Sequence, residues 1–314
     1  MSACLVCGSA GFTPVFHASD RLYHTTTKQF SVVRCRECGL LRLDPQPPPD
    51  ELGRYYPANY WFAPDQSAAS RMEETYRRLV LRDHVQFVAQ ALRSSTAHGP
   101  LLDVGCGGGL FLGMMRARGF RVVGLDNSHD AAGIAWRRQQ VPAIVADLER
   151  APLRPATLAG LSMFHVMEHL YDPRAYLRIA RELLAPDGRL VVQVPNAASW
   201  QARLLGQAWN GADVPRHLFD FRDRDLVKIL EDAGFEVLRR KYFSLRDNPA
   251  GLASSLAPSL DPMARRVRRV QESGSARLSK DLAYFALVLA SVPFAALEAA
   301  FAAGSTVMIE ARPR

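Results

Sequence analysis

The chain has 314 residues, 48% of them hydrophobic, and a formal net charge of +8. That length can bury a full core and carry one large domain plus an accessory one, and the composition excludes a disordered or fibrous chain. The charge favours anionic partners but is modest for a nucleic-acid binder. Residues 1–40 set Arg21, Lys28, Arg34 and Arg36 against Asp20 and Glu37, with no basic stripe, so nucleic acid is not an expected partner.

No apolar run follows a basic start at the N-terminus, so no secretory signal is expected. Cys4-Leu5-Val6-Cys7 and Cys35-Arg36-Glu37-Cys38 form two C-x-x-C pairs. Each pair puts two thiolates on one knuckle, and two knuckles supply the tetrahedral shell of a structural zinc. Gly8 and Gly39 follow where a knuckle needs a relaxed backbone. A closed four-thiolate shell leaves no position for catalysis and implies a reducing, cytoplasmic setting. Cys106, the fifth cysteine, reads as a small packed residue within a glycine turn.

Residues 1–43 are expected to form this ribbon, with short strands at Phe30–Arg34 and Leu40–Leu43. Residues 44–99 form a linker and leading helix: Asp44–Asp50 is stiffened by proline, and 71–92 has helical apolar spacing. Tyr55, Tyr56, Tyr60, Trp61 and Phe62 cluster between them. They read either as a hydrophobic plug or as a flap over a ligand, with Tyr60 as an acceptor contact.

From residue 100 to 242 strands and helices alternate, which predicts a parallel sheet. Strands are predicted at 101–105, 121–125, 143–146, 159–164, 189–194 and from Gly234 to about Tyr242. Helices are predicted at about 110–118, 129–138, 173–185 and 221–233. Residues 305–314 hold the final core strand, Ser305–Ala311. Before it, residues 243–304 form a basic and apolar insertion containing Arg265, Arg266, Arg268 and Arg269 and the apolar stretch 282–303. Pro293 and Glu298 argue against a simple membrane span, so two short helices, a hairpin, are expected there. That hairpin packs on the core or in a homodimer interface, or rests on a membrane surface through residues 262–303.

The most informative stretch is Leu101-Leu102-Asp103-Val104-Gly105-Cys106-Gly107-Gly108-Gly109, a strand running into a glycine turn that opens a helix. Such a turn lets a ligand lie on the backbone, against free amides at the helix start. Asp126, at the end of the second strand, stands where a strand–helix–strand unit brings a carboxylate to ribose hydroxyls. A dinucleotide also fits that spacing, but Leu110 occupies the position of the third glycine in G-x-G-x-x-G. Asp103 could steady the turn or a ligand's amino-acid portion. Asn127 adjoins Asp126, and Asp147-Leu148 ends the third strand, where the carboxylate can accept from an adenine amino group.

The string L-D-V-G-C-G-G-G resembles the first motif of class I S-adenosylmethionine (AdoMet) methyltransferases. That likeness implies a Rossmann-like seven-stranded sheet, AdoMet as cofactor, and Asp103, Gly105, Cys106, Gly107, Asp126, Asn127, Asp147, Leu148 and His165 around it. His165-Val166-Met167-Glu168-His169 resembles the E-x-x-E-H of ubiquinone-type O-methyltransferases, in which acids and a histidine hold a divalent ion; here His165 replaces the first acid. Val194-Pro195-Asn196 and Pro215-Arg216-His217-Leu218, with the cysteine pairs, are similar to segments of a bacterial methyltransferase group tied to sugars, glycans and secondary metabolites.

The resemblance implies transfer to an oxygen of a small-molecule or glycan acceptor. His217 is the first candidate base, followed by His169 and His165, because imidazole titrates in the useful range. Asn196, Arg216, His217 and Tyr60 are candidate acceptor contacts, although a structural carboxylate could equally hold Arg216. A quinone-like or lipid-linked acceptor, and a non-catalytic AdoMet- or RNA-binding scaffold, are the competing readings.

Overall fold

A computed structural model describes residues 3–56 and 68–314; Tyr60, Trp61 and Phe62 lie outside the described residues. In chain order the strands are β1 Phe12–Ala18, β2 Phe30–Cys35, β3 Leu41–Leu43, β4 Leu101–Val104, β5 Val122–Asp126, β6 Ala143–Val145, β7 Leu158–Phe164, β8 Leu184–Pro195, β9 Phe219–Asp220, β10 Phe235–Lys241 and β11 Thr306–Pro313. The α-helices are α1 Pro49–Leu52, α2 Ala68–Val80, α3 Arg82–Arg93, α4 Leu110–Arg116, α5 His129–Gln139, α6 Pro173–Leu183, α7 Trp200–Leu205, α8 Asp223–Asp232, α9 Asn248–Leu256, α10 Pro262–Val267 and α11 Gly274–Ala300.

The chain divides into two compact units. One takes residues 61–194, 227–246 and 308–314. It carries nearly all of a seven-stranded sheet of order β10-β11-β8-β7-β4-β5-β6, the Rossmann-like arrangement expected. Strands β4 to β8 pair in parallel, and β10 pairs antiparallel with β11. Their buried apolar runs explain this: Leu101, Leu102, Leu161, Met163, Leu190 and Val192 are covered on both faces. The chain leaves β4 toward β5 and β6, then returns to place β7 on the other side of β4. That reversal opens a crevice at the carboxyl ends of the central strands.

Helices α3, α4 and α5 pack beside one another around Val85, Val88, Phe111, Leu112, Met115 and Ala135. The long helix expected over 71–92 is two helices, α2 and α3, meeting at the buried Leu81.

The other unit takes residues 1–60, 195–226 and 247–307. It contains the antiparallel sheet β1-β2-β3-β9 and, among its helices, α7 and α9 to α11. Strand β1 carries Pro14, which a strand tolerates at an edge, and β1 is the edge of this sheet. The insertion before the last strand is helical as expected, but Pro293 does not divide it. Residues 274–300 form one continuous helix. A proline forfeits one helical hydrogen bond, and the alanine-rich sequence around it sustains the remaining turns.

Candidate active site

The seven-stranded unit gathers its polar groups at the carboxyl ends of β4 to β7. Gly105 has φ +71°, and a Cβ there would come within 2.9 Å of Val166 Cγ2. The amides of Gly105 and Cys106 both donate to Leu125 O, which fastens the turn to β5. Gly109, at φ +72°, is the N-cap of α4.

Asp126 braces this turn. One carboxylate oxygen accepts from Gly107 N at 2.9 Å and the other from Ser128 N at 2.9 Å. The group is buried, and burial raises its pKa against the opposing pull of those amides. A carboxylate has about four acceptor positions, so each oxygen retains one for a further donor. A glycine turn with no room for a Cβ, beside a carboxylate fixed by two amides, fits the ribose and backbone contacts of an adenosyl nucleoside.

Asp103 does not steady the turn. Its side chain accepts from Ser162 Oγ on β7 at 2.6 Å. Burial pushes its carboxyl up to about 7, with the Ser162 hydroxyl opposing and the charge of Asp126 adding to the rise. The folded state therefore keeps a proton that a free aspartate releases near 3.8. The stability this gives is fully present below that value and is lost as pH rises toward 7. Asp103→Asn still accepts from Ser162 but does not titrate. Its unfolding free energy should fall less between pH 4 and 7 than the wild type's, by about 3–4 kcal/mol, measured by urea denaturation at several pH values.

Cys106 is buried with Sγ 3.6 Å from Gly107 O, and burial drives its thiol up, as suits a packed residue. Asn127 is exposed directly after Asp126. Asp147, also exposed, precedes the short 3-10 turn that begins at the buried Leu148.

At the end of β7, His165 has φ +56°. Its Nδ1 lies 3.2 Å from Glu168 Oε1 and its Nε2 lies 2.9 Å from Gln193 Nε2. Both distances suit a neutral ring donating from Nδ1 to the carboxylate and accepting at Nε2 from the amide. With both nitrogens engaged, His165 has none left for a divalent ion in the trio with Glu168 and His169. His169 is half-buried at the end of the turn Met167–His169. Gln193 was legible only as one polar residue in the apolar run Val191-Val192-Gln193-Val194.

In the other unit the four cysteines converge, their Sγ atoms all within 4.8 Å of one another. Cys4 and Cys38 are 3.5 Å apart, as are Cys7 and Cys35. Sulfurs 2.3 Å from a tetrahedral zinc would lie about 3.8 Å from each other, so the donor set fits that ion. Each knuckle closes through an amide: Gly8 N donates to Cys4 O and Gly39 N to Cys35 O. Gly39 has φ +81°, and a Cβ there would strike Arg222 Nη1 at 2.6 Å. That arginine also donates to Cys38 O.

Two of the expected acceptor contacts, Arg216 and Asn196, are held by internal partners. Arg216 is fully buried, and all five of its N–H groups donate within the protein. Nε and Nη2 reach Asp213, Nη1 and Nη2 reach Asp20, and Nη1 also reaches Tyr55 O, at 2.6–3.1 Å. Its guanidinium plane lies 4.5 Å from the centroid of the Tyr23 ring. Opposed by burial, Arg216 still holds Asp20 down at about 2. The structural carboxylate is the reading that fits, and there are two of them.

Asn196 is likewise fully buried. It donates from Nδ2 to Gly304 O at 3.0 Å and accepts from Ala198 N at 3.0 Å, which fixes the turn from β8 into α7. Neither side chain is available to an acceptor. His217 is 8% exposed; its Nδ1 lies 2.8 Å from Gly211 O and donates to it, and its Nε2 lies 3.9 Å from Asp213 Oδ2.

A family model described as a methyltransferase domain matches residues 72–240. A probable S-adenosylmethionine-dependent methyltransferase of Mycolicibacterium smegmatis is 30% identical over 57% of this chain and 60% of its own length. A ubiquinone biosynthesis O-methyltransferase of Cereibacter sphaeroides is 29% identical over 54% of this chain and 73% of its own. The chain thus spans less than two thirds of the first relative. A solved SAM-dependent methyltransferase from Archaeoglobus fulgidus, 18% identical, superposes with a TM-score of 0.49 over 78% of this chain and 99% of that one. With its family model matched over more than half the sequence and its sheet order that of the class I enzymes, the chain belongs to the methyltransferase-domain family.

Proposed function

We propose that this protein transfers the methyl group of AdoMet to an oxygen of a small-molecule or glycan acceptor. The supporting observation is Asp126, fixed by the amides of Gly107 and Ser128 beside the glycine turn at the sheet's point of reversal. In this reading Asp126 receives the ribose hydroxyls, with Asn127 alongside. Gly105, Cys106 and Gly107 line the nucleoside with backbone, Asp147 and Leu148 border the adenine, and Asp103 and His165 lie toward the amino-acid end. Bound AdoMet supplies an electrophilic methyl carried on a sulfonium.

What remains for the protein is to align the acceptor, exclude water and take a proton from the attacking hydroxyl. His217 is the first candidate base; its Nδ1 donates to Gly211 O and its Nε2 lies 3.9 Å from Asp213 Oδ2. His169 is the second candidate, and His165, with both nitrogens engaged, is the weakest. A structural zinc on Cys4, Cys7, Cys35 and Cys38 and a reducing, cytoplasmic setting belong to the same reading. The ribbon at 1–43 and the AdoMet-binding core at 100–242 are its two functional parts. A lipid-linked or quinone-like acceptor at a membrane surface is the second reading, favoured by the exposed apolar residues of α11.

Incubation with labelled AdoMet and a fractionated cell extract, followed by mass analysis, should yield a product heavier by one methyl group. His217→Ala should lower kcat by about 10²–10⁴-fold while leaving S-adenosylhomocysteine affinity unchanged. Turnover equal to wild type would move the base to His169.

A further inference from the structure

Helix α11 satisfies the length and composition of a membrane span, yet most of its apolar stretch is not buried. Leu278, Leu282, Leu289 and Leu297 are exposed, and their spacing sets them along one stripe. Between residues 282 and 303 the one charged side chain is Glu298, which is buried. Trp200 of α7 packs on Phe294 and Phe301 at the helix's far end, and Leu204, one turn further along α7, is 72% exposed.

Both ends of α11 are tied into one compact unit. Near its start Asp281 pairs with Arg265 of α10. Near its end Glu298 accepts from the side chain of Gln201 and from the amide of Ser305. A crossing would put the partners of the two ends, which belong to one compact unit, on opposite sides of a hydrocarbon layer about 30 Å thick. The helix therefore lies along its unit and turns the leucine stripe outward.

The segment that leads into the stripe is basic. Residues 262–281 contain Arg265, Arg266, Arg268, Arg269, Arg277 and Lys280 against Glu272 and Asp281, a net charge of +4. Glu272 pairs with Arg265 and Lys280 and Asp281 with Arg265 and Arg277, while the side chains of Arg269 and Arg277 are exposed. An apolar stripe flanked by exposed cations matches a surface with an apolar interior and negatively charged headgroups.

We propose that α11 docks this protein on the surface of an anionic bilayer, with Leu282, Leu289 and Leu297 entering the acyl boundary and Arg269 and Arg277 meeting the headgroups. The inference goes beyond methyl transfer and stands without it.

The test is flotation of the full chain with phosphatidylcholine vesicles, either alone or with one third phosphatidylglycerol. The expected result is at least about tenfold more protein floating with the anionic vesicles, falling as salt is raised. L282E/L289E, at exposed positions, should abolish flotation while its circular dichroism and thermal unfolding match the wild type. R269Q/R277Q should lose the preference for anionic lipid. Wild-type protein that floats with neither vesicle would overturn the proposal, as would flotation indifferent to L282E/L289E. A concentration-dependent dimer that L282E/L289E dissociates, without vesicle binding, would assign the stripe to a second copy of the chain and overturn it equally.

Discussion

Asp126→Ala should weaken S-adenosylhomocysteine binding by about 100-fold or more in a calorimetric titration. Two hydroxyls donating to one carboxylate contribute about 1.5–3 kcal/mol each as hydrogen bonds to a charged group, and a loss of about 2.7 kcal/mol is already 100-fold. The variant also strips Gly107 N and Ser128 N of their acceptor, so the turn loses its brace along with the ligand contact. Asp126→Asn separates the two effects poorly, because its NH2 would face one of those amides. The same titration with NAD should give no heat in the wild type. NAD binding with no response to S-adenosylhomocysteine would replace the methyl-transfer reading with a dinucleotide one.

The second large effect concerns the thiolates. The purified protein is expected to carry about one zinc per chain, because four sulfurs within 4.8 Å supply a complete tetrahedral shell. Structural zinc binding contributes about 10–16 kcal/mol in small zinc modules, and that is folding free energy there. Cys35→Ser should bring the metal content close to zero and unfold the β1–β2–β3 region, seen as rapid proteolysis around residues 4–43. Chelation of the wild type should reproduce the pattern. A metal-free wild type that resists protease equally would refute the zinc assignment.

The parallel sheet was legible because its strands are short apolar runs bounded by glycine, proline and aspartate, and such runs announce burial on both faces. Strand β1 escaped notice: Phe12-Thr13-Pro14-Val15 holds a proline that only an edge position excuses. The two-residue β9 has no periodicity to detect, and its pairing with β3 is a long-range fact. Local sequence also misled at Pro293, where a helix breaker was outvoted by the alanines around it.

The cofactor region depends on motif spacing within consecutive elements, so it could be read from the chain. Arg216 could not. The sequence left it between an acceptor contact and a structural carboxylate; Asp213 is three residues away, but the carboxylate that completes its shell is Asp20, remote in sequence and joined only by folding. The same holds for Asn196, whose acceptor is Gly304 O.

The pairing of β3 with β9 has an outcome for biosynthesis. Residues Phe219 and Asp220 leave the ribosome only after strands β4 to β8 have been made, so the cysteine-bearing sheet waits for its fourth member through more than half of translation. A nascent chain halted before Phe219 would expose the free edge of β3, and cleaving off the first 43 residues would remove the strand with which Phe219 and Asp220 pair.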